Sequence, residues 1–282
     1  MREIKLTDLT SLVERLFLDA NFKLPDKVHN ALLDAKENEV SETGKAILDD
    51  IIQNAQLASS EKMPLCQDTG FSVVFIKIGK EVKLIGESSL QNAVDLGVRH
   101  AYKKGYLRKS ILTDPLDRSS NTGDNTPSVL WTEIVEGDIF QITVMPKGGG
   151  SENMSTVKMM KPADGVEGVK SFVMDFVEKA GGNPCPPIVV GIAIGGTFEK
   201  CAYLAKKALL RDIGEHNPNP KYARLEEELL QDINKLGVGP MGLGGRTTAL
   251  DVHIEYYPCH IATFPVAINI CCHSERVKKG SL

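Results

Sequence analysis

Apolar residues recur at helical spacing through the first 60 residues of the chain. A first stripe on one helix face comprises Leu9, Leu12, Val13, Leu16 and Phe17. After a break at Leu24-Pro25-Asp26, a second stripe comprises Val28, Leu32 and Leu33. Ser41 then offers an N-cap for a third helix, whose apolar residues are Ile47, Ile51, Ile52 and Ala55. The pattern therefore predicts a helical N-terminal part over about residues 1–60.

Beyond residue 70 the apolar pattern alternates between strand-like and helix-like stretches. It predicts strands over 71–78, 129–135, 139–144, 188–194, 249–256 and 262–270. It predicts helices over 88–104, 164–179, 198–210 and 222–236. Glu136-Gly137-Asp138 separates two of the strands and predicts a hairpin there. The order predicts an α/β (α+β layered) fold, with N-terminal helices followed by mixed β-sheets flanked by helices, in a single domain over 1–282.

Composition narrows the function classes. The chain of 282 residues is 42% hydrophobic and 25% charged, as in ordinary globular proteins, and its net charge is 33 − 37 = −4. That balance gives no basic field for nucleic acid. No apolar run approaches the roughly 20 residues that a membrane helix needs, and the N-terminus lacks a signal-peptide core. We expect a cytoplasmic protein with reduced thiols, a setting that favours metal or cluster ligation over disulfide bonds.

Three of the six cysteines stand at the ends of predicted elements. Cys66 lies in the loop Pro64–Gly70, Cys185 in Asn183-Pro184-Cys185-Pro186-Pro187, and Cys272 near the C-terminus. Such punctuated loops commonly carry function, and three thiolates fit a cubane iron–sulfur cluster with one iron open to substrate. The alternative is a buried cysteine acting as a small apolar residue, which suits Cys201, or a turn residue such as Cys259.

Spacing alone leaves the third ligand open. No C-x-x-C pair occurs, so the chain has neither a zinc ribbon nor a ferredoxin run. Cys271 competes with Cys272, and adjacent strand residues point to opposite faces, so one of the two is expected to face the site.

Glycine-rich turns and isolated polar residues are less specific indicators of function than the cysteines. Gly148-Gly149-Gly150 either presents backbone N–H groups to an anion or forms a flexible connection. Gly195-Gly196-Thr197 lacks the spacing of a phosphate loop, and close strand–helix packing is the better interpretation. Gly242–Thr248 is a third such turn, with Arg246 either structural or anion-binding. Asp68 is either a candidate substrate contact or an ordinary turn residue. Arg108 is either a candidate contact for a substrate carboxylate or a solvated surface arginine.

Taken in order, these segments resemble the class I iron–sulfur-dependent fumarate hydratases and L-tartrate dehydratases. The resemblance rests on Pro64–Gly70, Lys147–Ser155, Asn183–Pro187, Gly191–Thr197, Gly242–Asp251, Phe264-Pro265-Val266 and Cys272. It covers nearly the whole chain and matches the α subunit, which in single-chain relatives is the N-terminal domain. Alignment of the Pro265-Val266 strand with the family selects Cys272 over Cys271.

The resemblance implies a [4Fe–4S] cluster held by Cys66, Cys185 and Cys272. It implies substrate contacts from Gln67, Asp68, Arg108 and the backbone near Gly149, with Asp68 also a candidate proton-transfer group. The family's C-terminal domain is absent, so we expect a β subunit to supply the remaining basic residues and the main base. An α-chain homodimer, giving an α₂β₂ assembly, is a further family expectation.

The substrate implied by the resemblance is a small dicarboxylate. Fumarate, interconverted with (S)-malate, is preferred, and L(+)-tartrate dehydratase is the alternative. A different class remains open, a non-catalytic zinc or redox-sensing protein in which His273 would be the fourth ligand beside the three cysteines.

Overall fold

A computed structural model describes all 282 residues, Met1–Leu282. A short strand and three helices come first, and strands and helices are mixed after them. The order is β1 (Arg2–Lys5), α1 (Leu6–Phe22), α2 (Asp26–Asn38), α3 (Glu42–Glu61), β2 (Phe71–Gly79), β3 (Val82–Ile85), α4 (Leu90–Lys104), β4 (Val129–Val135), β5 (Phe140–Lys147), α5 (Gly149–Glu152), β6 (Ser155–Met160), α6 (Gly165–Ala180), β7 (Ile188–Gly195), α7 (Phe198–Ala208), α8 (Pro220–Lys235), β8 (Ala249–Tyr257), β9 (Phe264–Cys271) and β10 (Lys278–Ser281). Short 3₁₀ turns cover Pro162–Asp164 and Pro240–Gly242.

The chain forms two compact units. Unit 1 comprises Met1–Pro25, Asn54–Gly149 and Arg276–Leu282, and unit 2 comprises Asp26–Gln53 and Gly150–Glu275. The helices and mixed sheets confirm the predicted α/β class. The three predicted N-terminal helices are present as α1, α2 and α3, and the short strand β1 precedes them. The single-domain organisation expected from the sequence stays a prediction.

In unit 1, a mixed sheet in the order β10-β5-β2-β4 carries the core, and β1 pairs with β3 beside it. Alternate residues of β2 and β5 face α1 and α4, because side chains on a strand alternate between the two faces. The resulting core includes Val74, Ile76, Ile142 and Val144 from the sheet with Leu9, Val13, Phe17, Val94 and Val98 from the helices.

The predicted hairpin between β4 and β5 is wrong, although both strands exist. β2 lies between them, parallel to β4 and antiparallel to β5, so that Val73 is opposite both Val129 and Met145. The 136–138 turn passes the end of β2, where the Glu81 N–H donates to the Gly137 carbonyl at 3.0 Å. The physical reason is that β2 is apolar on both faces from Val73 to Ile76, and such a strand is best buried between two neighbours.

In unit 2, the sheet order is β6-β9-β7-β8, with β7 parallel to β8 and antiparallel to β9. The predicted buried strand over 188–194 is confirmed as β7, whose residues are almost all buried. One side of the sheet packs on α6 and α8, through residues that include Val173, Val177, Leu229 and Ile233. The other side packs on α7, where the expected core position of Cys201 is confirmed. The sheet thus carries helices on both faces and presents the ends of β7 and β9 as anchoring points for loops.

None of the helices combines the length and the apolar character that crossing a membrane requires.

Candidate functional site

The Cys66 loop belongs to unit 1, between the end of α3 and the start of β2. Cys66 and Gln67 are exposed, and Asp68 is partly buried. The Asp68 N–H donates to Cys66 Sγ at 3.4 Å. Backbone N–H donors of this kind stabilise negative charge on sulfur and are a common feature around cluster thiolates. Cys66 is therefore accessible to solvent, and its Sγ accepts a hydrogen bond from the backbone of its own loop.

The Asp68 carboxylate ties this loop to the segment after β5. Oδ1 accepts from the Gly70 N–H at 2.9 Å, and Oδ2 accepts from the Gly149 N–H at 2.7 Å. An ionised carboxylate is purely an acceptor, so it suits two N–H donors. Gly70 lies so close to β5 that an added Cβ would approach the Lys147 backbone to 2.7 Å, and its φ of +77° also favours glycine. The glycine and the carboxylate together fix the spacing between Cys66 and Gly149.

Buried polar side chains donate hydrogen bonds to the backbone of the same loop. The Tyr102 hydroxyl donates to the Thr69 carbonyl at 2.7 Å, and Asn125 Nδ2 donates to the Gly70 carbonyl at 3.1 Å. Burial raises the pKa of Tyr102 to about 12, so the phenol keeps its proton at neutral pH. Thr69 Oγ1 donates to the Arg108 carbonyl at 2.7 Å. This bond places the exposed Arg108 residue beside the loop that carries Gln67 and Asp68.

Arg276 is an anchor that the sequence analysis did not identify. Its side chain is buried in unit 1, where Nη1 donates to the Asp68 carbonyl at 2.8 Å and to Asn21 Oδ1 at 3.2 Å. The buried Nε has no hydrogen-bond partner in the structure. The only signal in the sequence was a charged pair, Glu275-Arg276, following a buried strand, which does not reveal a contact over about 200 residues.

Replacing Tyr102 by phenylalanine is expected to destabilise the chain by about 1–2 kcal/mol, because the buried Thr69 carbonyl loses its hydroxyl donor. Thermal unfolding of the full chain measures the effect. Tyr106→Phe is the matched control, since that tyrosine is exposed and its change should stay within about 0.5 kcal/mol. Equal shifts in the two variants would contradict the anchoring role of Tyr102.

Unit 2 brings the other two candidate cysteine segments together. Cys185 lies in the turn between α6 and β7, and Cys272 follows the last residue of β9. The His273 N–H donates to the Cys185 carbonyl at 3.3 Å, and His273 Nδ1 lies 3.0 Å from the same oxygen. Cys271 is buried in β9, whereas Cys272 is partly exposed, in keeping with their opposite directions. The fold of unit 2 alone thus joins two segments that are 87 residues apart in the chain (272 − 185).

The Gly242 turn supports the Cys185 loop by backbone packing. A Cβ on Gly242 would lie 2.4 Å from the Gly182 Cα, and the Met241 N–H donates to the Pro186 carbonyl at 2.8 Å. Cys185 itself has a φ of +57°, an uncommon conformation for a residue with a side chain. Gly242 therefore allows the close backbone contact that supports the Cys185 loop.

Glu39 is a second anchor absent from the sequence analysis. Its side chain is 2% exposed and accepts from the N–H groups of Val40, Ser41, Arg246 and Thr247 at 2.8–3.0 Å. Burial raises the pKa of Glu39, but these backbone donors lower it by more, to about 2. The carboxylate therefore fastens the end of the Gly242–Thr248 turn to the start of α3. The backbone of Arg246 is structural, while its side chain is exposed.

The candidate ligands fit a cluster by their chemistry. None of the six cysteines is in a disulfide bond. Four of them lie in loops with access to solvent: the candidate ligands Cys66, Cys185 and Cys272, and Cys259 in the β8–β9 turn. No group of three or more His, Cys, Asp or Glu side chains gathered for a metal ion occurs among the 282 described residues. Cys66 belongs to unit 1 and the other two thiols to unit 2, so the shared three-thiol site stays a prediction.

Comparison with known proteins identifies the family. A family model described as fumarate hydratase (Fumerase) matches residues 10–281. The chain is 46% identical over 273 residues to the putative L(+)-tartrate dehydratase subunit alpha of Methanocaldococcus jannaschii, covering 95% of each chain. It is 37% identical over 276 residues to the L(+)-tartrate dehydratase subunit alpha of Escherichia coli K12, covering 97% of this chain and 90% of the relative. The chain therefore belongs to the fumarate hydratase (Fumerase) family of hydro-lyase enzymes, as a homologue of alpha subunits.

Proposed function

We propose that this chain is the α subunit of a two-subunit, [4Fe–4S]-dependent hydro-lyase that interconverts fumarate and (S)-malate. The observation that carries the proposal is the contact of the Cys185 carbonyl with His273, which sets the Cys185 and Cys272 segments side by side in a chain of this family.

Cys66, Cys185 and Cys272 would hold the cluster. When bound, it supplies a Lewis acid for the hydroxyl that leaves as water, worth several kcal/mol of charge stabilisation. The N–H of Asp68 stabilises the charge on Cys66 Sγ from within its own loop. The backbone contacts of Gly182, Pro186 and His273 hold the Cys185 loop in place before any ligand arrives. A loop that is already held in place has a smaller ordering cost when a ligand binds.

The residues around Cys66 would bind and orient the dicarboxylate. The Arg108 guanidinium is exposed beside the loop and can match a carboxylate with two parallel hydrogen bonds. The Gln67 amide, also exposed, offers a donor and an acceptor from the same loop. Gly149 would contact a substrate carboxylate through neighbouring backbone, with Asp68 holding its N–H in position. Asp68 is also the candidate in this chain for moving a proton.

L(+)-tartrate is the second candidate substrate. The relatives from Methanocaldococcus jannaschii and Escherichia coli carry names of tartrate dehydratase subunits, whereas the matching family model is described as fumarate hydratase. The two substrate pairs differ by one hydroxyl group, and recognition of a hydroxyl depends on a specific buried polar partner. We assign that partner to the β subunit, which also supplies the main base.

The proposal includes an assembly and a location. The relatives named as alpha subunits support a β subunit partner for this chain, and we propose an α₂β₂ complex in the cytoplasm. Nucleic acid and membrane are not among the proposed partners, because the net charge of −4 provides no basic surface excess.

Co-expression with the partner subunit and anaerobic purification test the function. We expect a brown protein with broad visible absorbance that hydrates fumarate faster, by kcat/KM, than it dehydrates L(+)-tartrate. Purification in air should lower the activity, and iron with a reductant should restore it. A higher kcat/KM for L(+)-tartrate than for fumarate would identify L(+)-tartrate, in place of fumarate, as the substrate. A colourless zinc protein, or full activity without metal, would overturn the cluster proposal and favour the zinc or redox-sensing class.

A further inference from the structure

The outer edge of the sheet in unit 1 has the features of an unprotected β-strand edge. β4 is the last strand in the order β10-β5-β2-β4, so β2 is the one strand hydrogen-bonded to it. None of its seven residues is buried. Among them, Ile134 is 79% exposed, Trp131 42% and Val129 39%. An exposed, regular and apolar edge is a template for pairing with another strand.

The opposite edge of the same sheet is built differently. β10 has only four residues and includes Lys278, Lys279 and Gly280. Short length and lysines are devices by which natural proteins prevent edge-to-edge association. β4 has neither lysine nor proline, its one charged residue is Glu133, and its pairing with β2 runs without a bulge over all seven residues. The contrast within one sheet indicates that β4 is kept open for a partner strand.

The sequence of β4 is self-complementary. It reads Val129-Leu130-Trp131-Thr132-Glu133-Ile134-Val135, with apolar pairs placed symmetrically about Thr132. A two-fold axis perpendicular to the sheet through Thr132 would place Val129 opposite Val135 of a second copy, Leu130 opposite Ile134, and Trp131 opposite Glu133. Directly opposed residues of antiparallel strands share a face and pack together, so both apolar pairs would be buried.

Other two-fold registers fit less well. The pleat requires the axis to pass through a residue position, because a one-residue slip turns every side chain to the other face. An axis at Glu133 would set two carboxylates directly opposite each other, which is destabilising. An axis at Trp131 would set Thr132 against Leu130 and Glu133 against Val129. With the axis at Thr132, apolar residues lie opposite apolar residues, and the Glu133 carboxylates of the two copies are not directly opposed.

We propose that two copies of this chain associate through β4, antiparallel and centred on Thr132, to join two four-stranded sheets into one continuous eight-stranded sheet. Such an isologous contact uses the same patch on both copies, as closed dimers require. The inference deepens the α-chain pairing included in the proposed function. Its test uses no substrate, so its failure would leave the hydro-lyase proposal standing.

Size measurements on the full α chain, alone and co-purified with the β subunit, test the surface. We expect wild-type protein to contain two α chains, and Ile134→Lys to raise the α–α dissociation constant by at least about ten-fold. Ile261→Lys is the matched control, because that isoleucine is 90% exposed in unit 2 and lies outside β4. Trp131 is the single tryptophan of the chain, so its fluorescence should shift to longer wavelength when Ile134→Lys separates the copies.

Cross-linking tests the register. Thr132→Cys should give a covalent α–α dimer under mild oxidation, because the two Cα atoms at the axis would lie within disulfide distance. Glu136→Cys, at an exposed position four residues farther along, should not. A monomeric α chain in both preparations would overturn the proposal. The proposal would also be overturned if the Ile134→Lys variant stayed dimeric and the Thr132→Cys variant formed no cross-link. Loss of the β subunit from the Ile134→Lys variant, with α–α association retained, would overturn it as well.

Discussion

Replacing Cys185 by serine is expected to abolish the visible absorbance of the anaerobically prepared α–β protein and to lower its hydro-lyase activity at least about 10³-fold. The thiol is a proposed cluster ligand, and serine is a poor substitute for a soft thiolate donor. Loss of Lewis-acid assistance of several kcal/mol corresponds to about three orders of magnitude in rate. Iron content, absorbance and turnover of fumarate are the three measurements.

The fold around Cys185 should survive this change. The loop is held by backbone bonds, from Cys185 N–H to the Gly182 carbonyl at 3.0 Å and from His273 N–H to the Cys185 carbonyl at 3.3 Å, and serine retains both. Cys259→Ser is the matched control, because Cys259 is exposed in the β8–β9 turn and is not a proposed ligand. It should keep its iron and its activity. A Cys185→Ser protein with full iron content would remove Cys185 from the ligand set.

Replacing Glu39 by glutamine should cause the largest loss of stability, about 3 kcal/mol at neutral pH. The carboxylate is almost fully buried and accepts four backbone N–H bonds, including those of Arg246 and Thr247. A shift in pKa from 4.5 to about 2 corresponds to roughly 3 kcal/mol of stabilisation of the charged form. For a chain of this size the melting temperature should fall by roughly 6 °C or more.

The pH dependence of this effect has a defined sign. The folded-state pKa of Glu39 is depressed, so its contribution is complete above the unfolded value of 4.5 and is lost as the pH falls towards about 2. The gap in melting temperature between wild type and Glu39→Gln should therefore narrow over that interval. Glu42→Gln is the control, because Glu42 is 89% exposed on α3 and its replacement should change stability little. A gap that stays constant between pH 5 and pH 2.5 would contradict this account.

Local periodicity predicted most of the elements because the information lies within each segment. The N-terminal helices, α4 with its Ser89 cap, α6, α7, α8 and the buried strand β7 each have an apolar pattern of a single period. The strands β1, β3, β6 and β10 were not predicted. β1, β3 and β10 have four residues each, too few to show a period, and all four strands form by hydrogen bonding to partners elsewhere in the chain.

Pairing of strands and anchoring of loops required the tertiary structure. The turn at 136–138 gave a correct local signal, but a turn does not reveal that β2 lies between the strands it connects. Arg276 reaches the Asp68 carbonyl across 208 residues, and Glu39 reaches Arg246 across 207. Both are buried charged groups stabilised by distant backbone atoms, and nothing near them in sequence specifies those atoms.

The sequence by itself determined the fold class, the family and the candidate residues, with Cys66, Gln67, Asp68 and Arg108 in unit 1 and Cys185 and Cys272 in unit 2. These follow from residue types, their order and their local period. Only the tertiary structure decided that Asp68 holds Gly149, that His273 holds Cys185 and that β4 forms a sheet edge. The reason is physical: hydrogen bonds and strand edges are relations between segments, which chain folding creates and local sequence does not encode.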